Sequence, residues 1–126
     1  MKNASYKVYS FDVTAAGQSL SPEFDIEKNA KEVAGIALSA DLRDMLFYAG
    51  TQRIDIGGVE VFPEGYESNL LMAGVTTAPK DKFHPFSPAL SVGNGKIKVY
   101  FVDKSNAAII TFRPYRVTVT VAYHVQ

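Results

Sequence analysis

The amino-acid sequence predicts an all-β protein, a single antiparallel β-sandwich domain over residues 1–126. Three observations lead to this prediction: a C-terminal run that alternates apolar and polar residues, a Gly-Gly pair between two alternating runs, and turn signals about every ten residues. That spacing is typical of sandwiches and jelly rolls. We favour a jelly roll over an immunoglobulin-like sandwich, because the chain lacks the Cys pair and the core Trp of the latter.

The first third of the chain is predicted to contain two strands and a short edge segment. Residues 6–13 alternate in polarity, which indicates a strand with one buried face, and residues 15–19 supply a turn. Phe24 and Ile26 fit a short edge segment. Residues 32–39 are apolar on both faces, as in a covered strand or a helix, and a central Gly favours the strand.

A short helix is predicted next. Leu42, Met45 and Leu46 recur at helical spacing, and Asp41 is a residue type that caps helix N-termini. We therefore expect a single helical turn over residues 41–46.

The clearest local signal is a β-hairpin. Two alternating runs flank Gly57-Gly58, and a two-residue primed turn needs the positive φ angles that Gly adopts without cost. In the simplest register Ile56 faces Val59 and Ile54 faces Val61. We expect these four side chains to point into the core, and we expect the Pro-Glu-Gly sequence that follows to end the strand.

The second half of the chain is predicted to contain one long loop and three strands. Residues 78–90 carry three prolines, which remove backbone donors and favour a loop. A Gly-Asn-Gly turn then leads into a strand over residues 96–102. Further strands are predicted over residues 107–112 and 115–125, separated by Pro114.

Composition excludes several classes of site. Lys plus Arg equals Asp plus Glu, so the chain has no net charge to attract nucleic acid. There is no Cys, which removes disulfides, thiolate metal sites and a Cys nucleophile. His84 and His124 are the two histidines, and neither stands in a recognisable nucleophile or zinc motif. We therefore predict no catalytic residue, no cofactor and no metal site.

One pair of carboxylates needs an explanation. The hairpin register places Asp55 opposite Glu60, and like charges directly opposite each other destabilise a sheet. Arg53, two residues from Asp55 on the same face, is the preferred counter-charge. A bound calcium ion is the alternative.

The strongest candidate for an interaction surface is the proline-flanked segment that contains Phe83, His84 and Phe86. Prolines reduce the entropy lost when a docking loop becomes ordered. The alternative is that the two Phe side chains fold back over an open end of the sandwich.

These observations favour a non-enzymatic structural subunit of an assembly, such as a capsid, vertex or fibre protein of a virion. We expect a homo-oligomer with neighbouring subunits as partners, no nucleic acid and no membrane span. No apolar leader is visible, so we expect synthesis in the cytoplasm and a final location in the virion. The alternative is a carbohydrate-binding or adhesive sandwich module that uses scattered tyrosines for stacking: Tyr6, Tyr48, Tyr66, Tyr100 and Tyr115.

Overall fold

Two antiparallel sheets pack face to face in this protein, as a computed structural model shows for residues 4–72, 83–106 and 108–125. The strands are β1 (Ser5–Val13), β2 (Ser19–Leu20), β3 (Glu23–Asp25), β4 (Glu32–Ala40), β5 (Gly50–Ile56), β6 (Val59–Glu67), β7 (His84–Ser91), β8 (Lys96–Asp103) and β9 (Tyr115–His124). Helix α1 (Arg43–Ala49) and a 3-10 helix (Ser68–Leu71) connect strands. The predicted all-β sandwich is confirmed.

The strand pairing is nested. One sheet has the order β1-β9-β4-β7, and the other has the order β2-β8-β5-β6 with β3 also paired to β8. The first strand therefore pairs with the last, β2 and β3 pair with β8, β4 pairs with β7, and β5 pairs with β6. Each strand before the β5–β6 connection therefore pairs with a strand after it, and the pairs lie farther apart in sequence with distance from that connection.

The core lies between the sheets and is filled by alternate residues of the inner strands. Val117, Val119 and Val121 of β9 are buried, as the C-terminal alternation predicts. Ile97 and Val99 of β8 face them from the other sheet and are buried as well. Strand β9 is hydrogen-bonded to β1 on one side and to β4 on the other, so the predicted strands at both places are confirmed.

The predicted hairpin forms, but its register contains a bulge. Gly57 and Gly58 have φ angles of 64° and 86°, and Ile56 pairs with Val59 as expected. The predicted partner of Ile54 was wrong: Ile54 pairs with Phe62, which leaves Val61 as an extra residue.

The bulge changes which residues of β6 reach the core. Phe62 is buried, whereas Val61 is half-buried and Val59 is 66% exposed. Val59 belongs to the last pair of the ladder on an edge strand, so no further strand covers it. The prediction for Val59 was therefore wrong, while Val61 packs against the core and Ile54 and Ile56 are buried as predicted.

The prolines of β6 and β7 lie within edge strands that contain register shifts, and they do not end these strands. Strand β6 continues through Pro63 to Glu67, with Gly65 at a φ of 85° where its register shifts. The predicted loop over residues 78–90 was wrong for residues 84–90, which belong to β7, while residues 78–82 lie outside the described part of the chain. Edge strands tolerate Pro because one side of their backbone has no neighbouring strand, so the N–H group that Pro lacks is not needed there for a hydrogen bond.

Two further predictions need correction. Helix α1 is longer than one turn, and the residue at its N-cap position is Leu42. The Asp41 carboxylate instead accepts hydrogen bonds from the backbone N–H groups of Leu42 and Arg116, both at 2.8 Å, so it ties the helix to β9. The strand predicted over residues 107–112 was wrong for the described residues 108–112, since the amides of residues 109 and 110 bond back to the Asn106 carbonyl in a turn.

The end of the sandwich opposite α1 depends on a close contact between two turns. A Cβ atom added to Gly93 would lie 2.1 Å from the Gly57 carbonyl oxygen. The Gly57 amide also donates to the Lys96 carbonyl oxygen at 2.8 Å. Glycine at position 93 thus allows the β5–β6 turn to seat against the β7–β8 connection.

We expect Gly93→Ala to destabilise the fold more than Gly95→Ala, its matched control in the same turn. Both glycines have positive φ angles, which cost an L-residue about 1 kcal/mol. Only position 93 adds a clash, because a Cβ on Gly95 meets nothing within 4 Å. Overpacking should lower the free energy of unfolding by a further ~1–3 kcal/mol in urea titrations. Equal losses for the two variants would contradict the turn contact.

Candidate functional site

The predicted interface residues lie at the β7 edge and point in two directions. The ring centroids of Phe83 and Tyr6 are 5.4 Å apart. His84 and Phe86 instead contact Phe62 of the opposite sheet, with centroid distances of 5.2 and 6.1 Å. Phe86 is half-buried against the core, so this segment closes the gap between β7 and β6.

The predicted counter-charge for the hairpin carboxylates is confirmed. The Arg53 Nε atom lies 3.0 Å from an Asp55 oxygen and 3.1 Å from a Glu60 oxygen. One guanidinium thus bridges both carboxylates at the position considered for calcium. Within the described ranges, no group of three or more His, Asp or Glu side chains could hold a metal ion.

The five tyrosines do not form one platform. Tyr115 is buried, Tyr66 packs on Phe62, and the Tyr100 ring lies under the Arg53 guanidinium, 4.9 Å from its centroid. Tyr48 belongs to α1, at a different part of the surface, and Tyr6 packs on Phe83.

A cleft at the α1 end of the sandwich is the best candidate for a functional surface. It has a volume of about 610 Å³. Its walls come from α1, from the β5 and β6 strands beside it, and from the connection between β8 and β9. The lining residues are Phe47, Tyr48, Ala49, Gly50, Thr51, Gly65, Glu67, Asn69, Lys104 and Ile109.

Large apolar side chains stay exposed around this cleft. Phe47, Tyr48, Leu70 and Ile109 are 41–60% exposed, and we call this set the apical patch. The Phe47 and Tyr48 rings meet edge to face with centroids 5.0 Å apart. The Asn69 side-chain amide donates to the Phe47 carbonyl oxygen at 3.4 Å and so holds the 3-10 helix beside α1. Clustered apolar exposure of this kind marks interaction surfaces in folded proteins.

The apical patch carries both signs of charge. Glu67 and Lys104 line the same cleft and are exposed. Lys104 takes part in none of the ion pairs among the described residues. The Glu67 carboxylate accepts one hydrogen bond, from Asn69 at 3.2 Å. Each charge therefore remains accessible to a partner.

Buried groups fix the backbone beneath the patch. Leu46 and Ala49 of α1 are buried, and the Gly50 amide donates to the Leu46 carbonyl oxygen at the end of the helix. A Cβ on Gly50 would lie 2.5 Å from the Ser68 hydroxyl oxygen, so Gly allows the helix end and the 3-10 helix to touch. The Ser68 hydroxyl donates to the buried Gln52 side chain.

A buried carboxylate holds the other wall of the cleft. Asp103 ends β8 and is 1% exposed. Its Oδ1 atom accepts hydrogen bonds from the Ser105 amide, the Ser105 hydroxyl and the Gly17 amide at 2.9, 2.5 and 3.2 Å. Its Oδ2 atom accepts from the Tyr115 hydroxyl at 2.5 Å. Asp103 thus joins three segments of the chain next to Lys104.

Hydrogen bonding decides the charge state of Asp103. Burial raises the pKa of this carboxyl, but the bonds from Ser105, Tyr115 and Gly17 outweigh burial and hold the pKa below its usual value of 3.8. Burial and the bond to Asp103 raise the pKa of Tyr115. Near neutral pH the pair is therefore a carboxylate and a neutral phenol, which suits a structural contact.

Comparison of the chain with protein-family models, curated proteins and solved structures finds no match in any of the three. In the part of the chain that the structure describes, every helix is too short or too polar to cross a membrane.

The sequence contained a signal for part of the apical patch. Helical spacing extended to Ala49 puts Met45 and Leu46 on the buried side, which leaves Phe47 and Tyr48 off that side. Leu70 and Ile109 carried no such signal, because only the tertiary structure brings their segments to one cleft.

We expect Asp103→Asn to lower the free energy of unfolding by about 2–3 kcal/mol at pH 7, because bonds to a charged acceptor are lost. Since folding depresses the pKa of Asp103, its contribution is complete above pH 3.8, the unfolded value, and is lost as pH falls below it. Urea unfolding from pH 7 to pH 2 should therefore show a weaker acid dependence in the variant.

The matched control is Asp12→Asn, which removes an exposed carboxylate paired with Arg116 at 2.9 Å. An exposed pair contributes less than about 1 kcal/mol. Equal losses in the two variants would contradict the role assigned to Asp103.

Proposed function

We propose that this chain is a non-enzymatic structural subunit of a protein assembly, and that its copies associate through the apical patch. A capsid, vertex or fibre protein of a virion is the context we favour, with the virion as the final location. The observation that carries the proposal is the apical patch itself. Three of its four large apolar side chains line one cleft above a scaffold of buried hydrogen bonds, and the fourth, Leu70, follows the lining residue Asn69 in the 3-10 helix.

The topology supports the proposal by analogy. Nested pairing of first with last strand, split over two sheets, is what a jelly roll requires, and we propose that this sandwich is one. Jelly rolls recur in viral capsids, although the same fold also serves lectins and enzymes. The jelly-roll topology therefore supports the proposal less strongly than the exposed apolar side chains of the apical patch do.

Charge supports a second copy as the occupant of the patch. In a two-fold contact the same surface meets itself, so Glu67 of each subunit can face Lys104 of the other. The whole chain has zero net charge, so no long-range repulsion opposes association. An acidic or basic partner would match only one of the two charges.

Three buried polar groups next to the patch serve the fold, which is consistent with a structural role for this end of the sandwich. The Tyr115 hydroxyl and the Asp103 carboxylate are buried and bonded to each other. The Ser68 hydroxyl is bonded to Gln52 and is likewise buried. None of these groups is presented to the cleft.

We expect light scattering over a concentration series to give a wild-type mass of at least twice the 13.8 kDa of one chain. Ile109→Glu should shift the mass downward, because it places a charge in an apolar contact and beside Glu67. Val59→Glu is the control, since Val59 is 66% exposed against 59% for Ile109 and lies at the opposite end of the sandwich. A wild-type mass of one chain at every concentration would overturn the proposal, as would equal effects of the two variants.

A carbohydrate-binding or adhesive module is the second candidate, and one observation favours it. The exposed Phe47 and Tyr48 rings stand beside the polar groups of Asn69 and Glu67 in one cleft. Apolar rings next to a few polar groups are the usual make-up of a small-ligand site.

For this second function, Tyr48→Ala should weaken the binding of a sugar at least about tenfold, the loss expected when 1.4 kcal/mol of ring contact is removed. A glycan array with and without calcium, followed by titration of any positive sugar, would measure it. An array without a signal in either condition would rule this function out.

A further inference from the structure

The four sheet edges in the part of the chain that the structure describes differ in how well they are protected from pairing with another chain. Strands β2 and β3 are two and three residues long. Strand β6 contains Pro63 and a bulge, and β7 contains Pro85, Pro88 and a register shift opposite β4. Short strands, prolines and bulges are the devices by which proteins block their sheet edges.

Strand β1 has none of these devices. It is nine residues long, contains no Pro or Gly, and keeps one register with β9 from Ser5 to Val13. Among the described residues, β1 makes backbone hydrogen bonds to β9 and to no other segment. Within the described ranges, the N–H and C=O groups along its other edge therefore have no backbone partner.

The side chains of β1 also suit a strand contact. Tyr6 and Val8 lie on its outer face and are 54% and 61% exposed. The two charges of the strand are already neutralised within the chain, Lys7 by Glu27 at 3.0 Å and Asp12 by Arg116 at 2.9 Å. A charged residue normally protects an edge, but a paired one does so less.

We propose that β1 pairs antiparallel with β1 of a second copy of this chain, which joins two four-stranded sheets into one sheet of eight. This contact rests on the proposed function, since it assumes self-association, but it uses a surface separate from the apical patch. It gives each subunit two different contacts, so that assembly can extend beyond a dimer.

A two-fold axis at Tyr9 gives the register. It is the register that pairs all nine residues of β1, and it keeps outer-face residues opposite outer-face residues. Val8 then faces Ser10 of the partner subunit, and Lys7 faces Phe11 of the partner subunit. No like charges stand opposite or diagonal to each other in this arrangement. A two-fold axis at Lys7 would set two lysines against each other.

Self-pairing is favoured over pairing with a different extended peptide because a two-fold contact supplies two identical unprotected edges at once. When the two β1 edges pair, the backbone N–H and C=O groups of both edges gain hydrogen-bond partners. A foreign peptide would leave the isolated chain without this contact, so the mass of the pure protein separates the two occupants.

The test compares two double variants by light scattering. Val8→Lys with Ser10→Lys places lysines opposite each other across the proposed axis and should reduce the wild-type particle to dimers joined by the apical patch. Val8→Lys with Ser10→Glu places Lys opposite Glu and should retain the wild-type mass. Positions 8 and 10 are exposed, and their neighbours on β9 are Thr120 and Thr118, so both variants should keep the wild-type circular dichroism spectrum.

The outcomes separate this contact from the apical patch. Retention of the wild-type mass by the Lys-Lys variant would overturn the β1 contact, as would dissociation of both variants. If Ile109→Glu still lowers the mass in that case, the proposed function stands without β1. A wild-type protein of 13.8 kDa at every concentration would overturn both.

Discussion

The fold depends on the double pairing of β9. This strand is hydrogen-bonded to β1 and to β4 along almost its whole length, and its inward side chains from Tyr115 to Tyr123 fill the core. A strand with two neighbours cannot slip by one residue, because a slip would turn every valine of its buried face toward the outside. The register of β9 therefore sets the registers of β1 and β4.

The hydrogen bonds around Asp103 connect this register to the surface that we consider functional. Tyr115 begins β9, Asp103 ends β8, and the Tyr115 hydroxyl joins them. The connection between these strands carries Lys104 and Ile109, both of which line the cleft. The Asp103–Tyr115 hydrogen bond therefore joins the two ends of the connection that contributes to the apical patch.

The sequence predicted the strands that have one buried and one exposed face. It did not predict the features that depend on contacts between segments far apart in the chain. Period-two alternation identified β1, β8 and β9, since each has one buried face. The Gly57-Gly58 turn was clear because positive φ is a local requirement. Strand β7 was missed because its prolines favour a loop. Prolines also occur in edge strands, and no local sequence pattern shows that a strand lies at an edge. The apical patch was missed because it joins residues from α1, the 3-10 helix and the β8–β9 connection.

Nested pairing also determines the order in which this chain can fold. The β5–β6 hairpin joins residues that are close in sequence, whereas Ser5 must find Tyr123 at the far end of the chain. Loop-closure entropy makes the hairpin the least costly pairing and β1–β9 the most costly. We therefore expect structure to grow outward from the hairpin, with β1 docking last. Until it docks, one long edge of β9 stays unpaired, and an unpaired strand edge can pair with another chain.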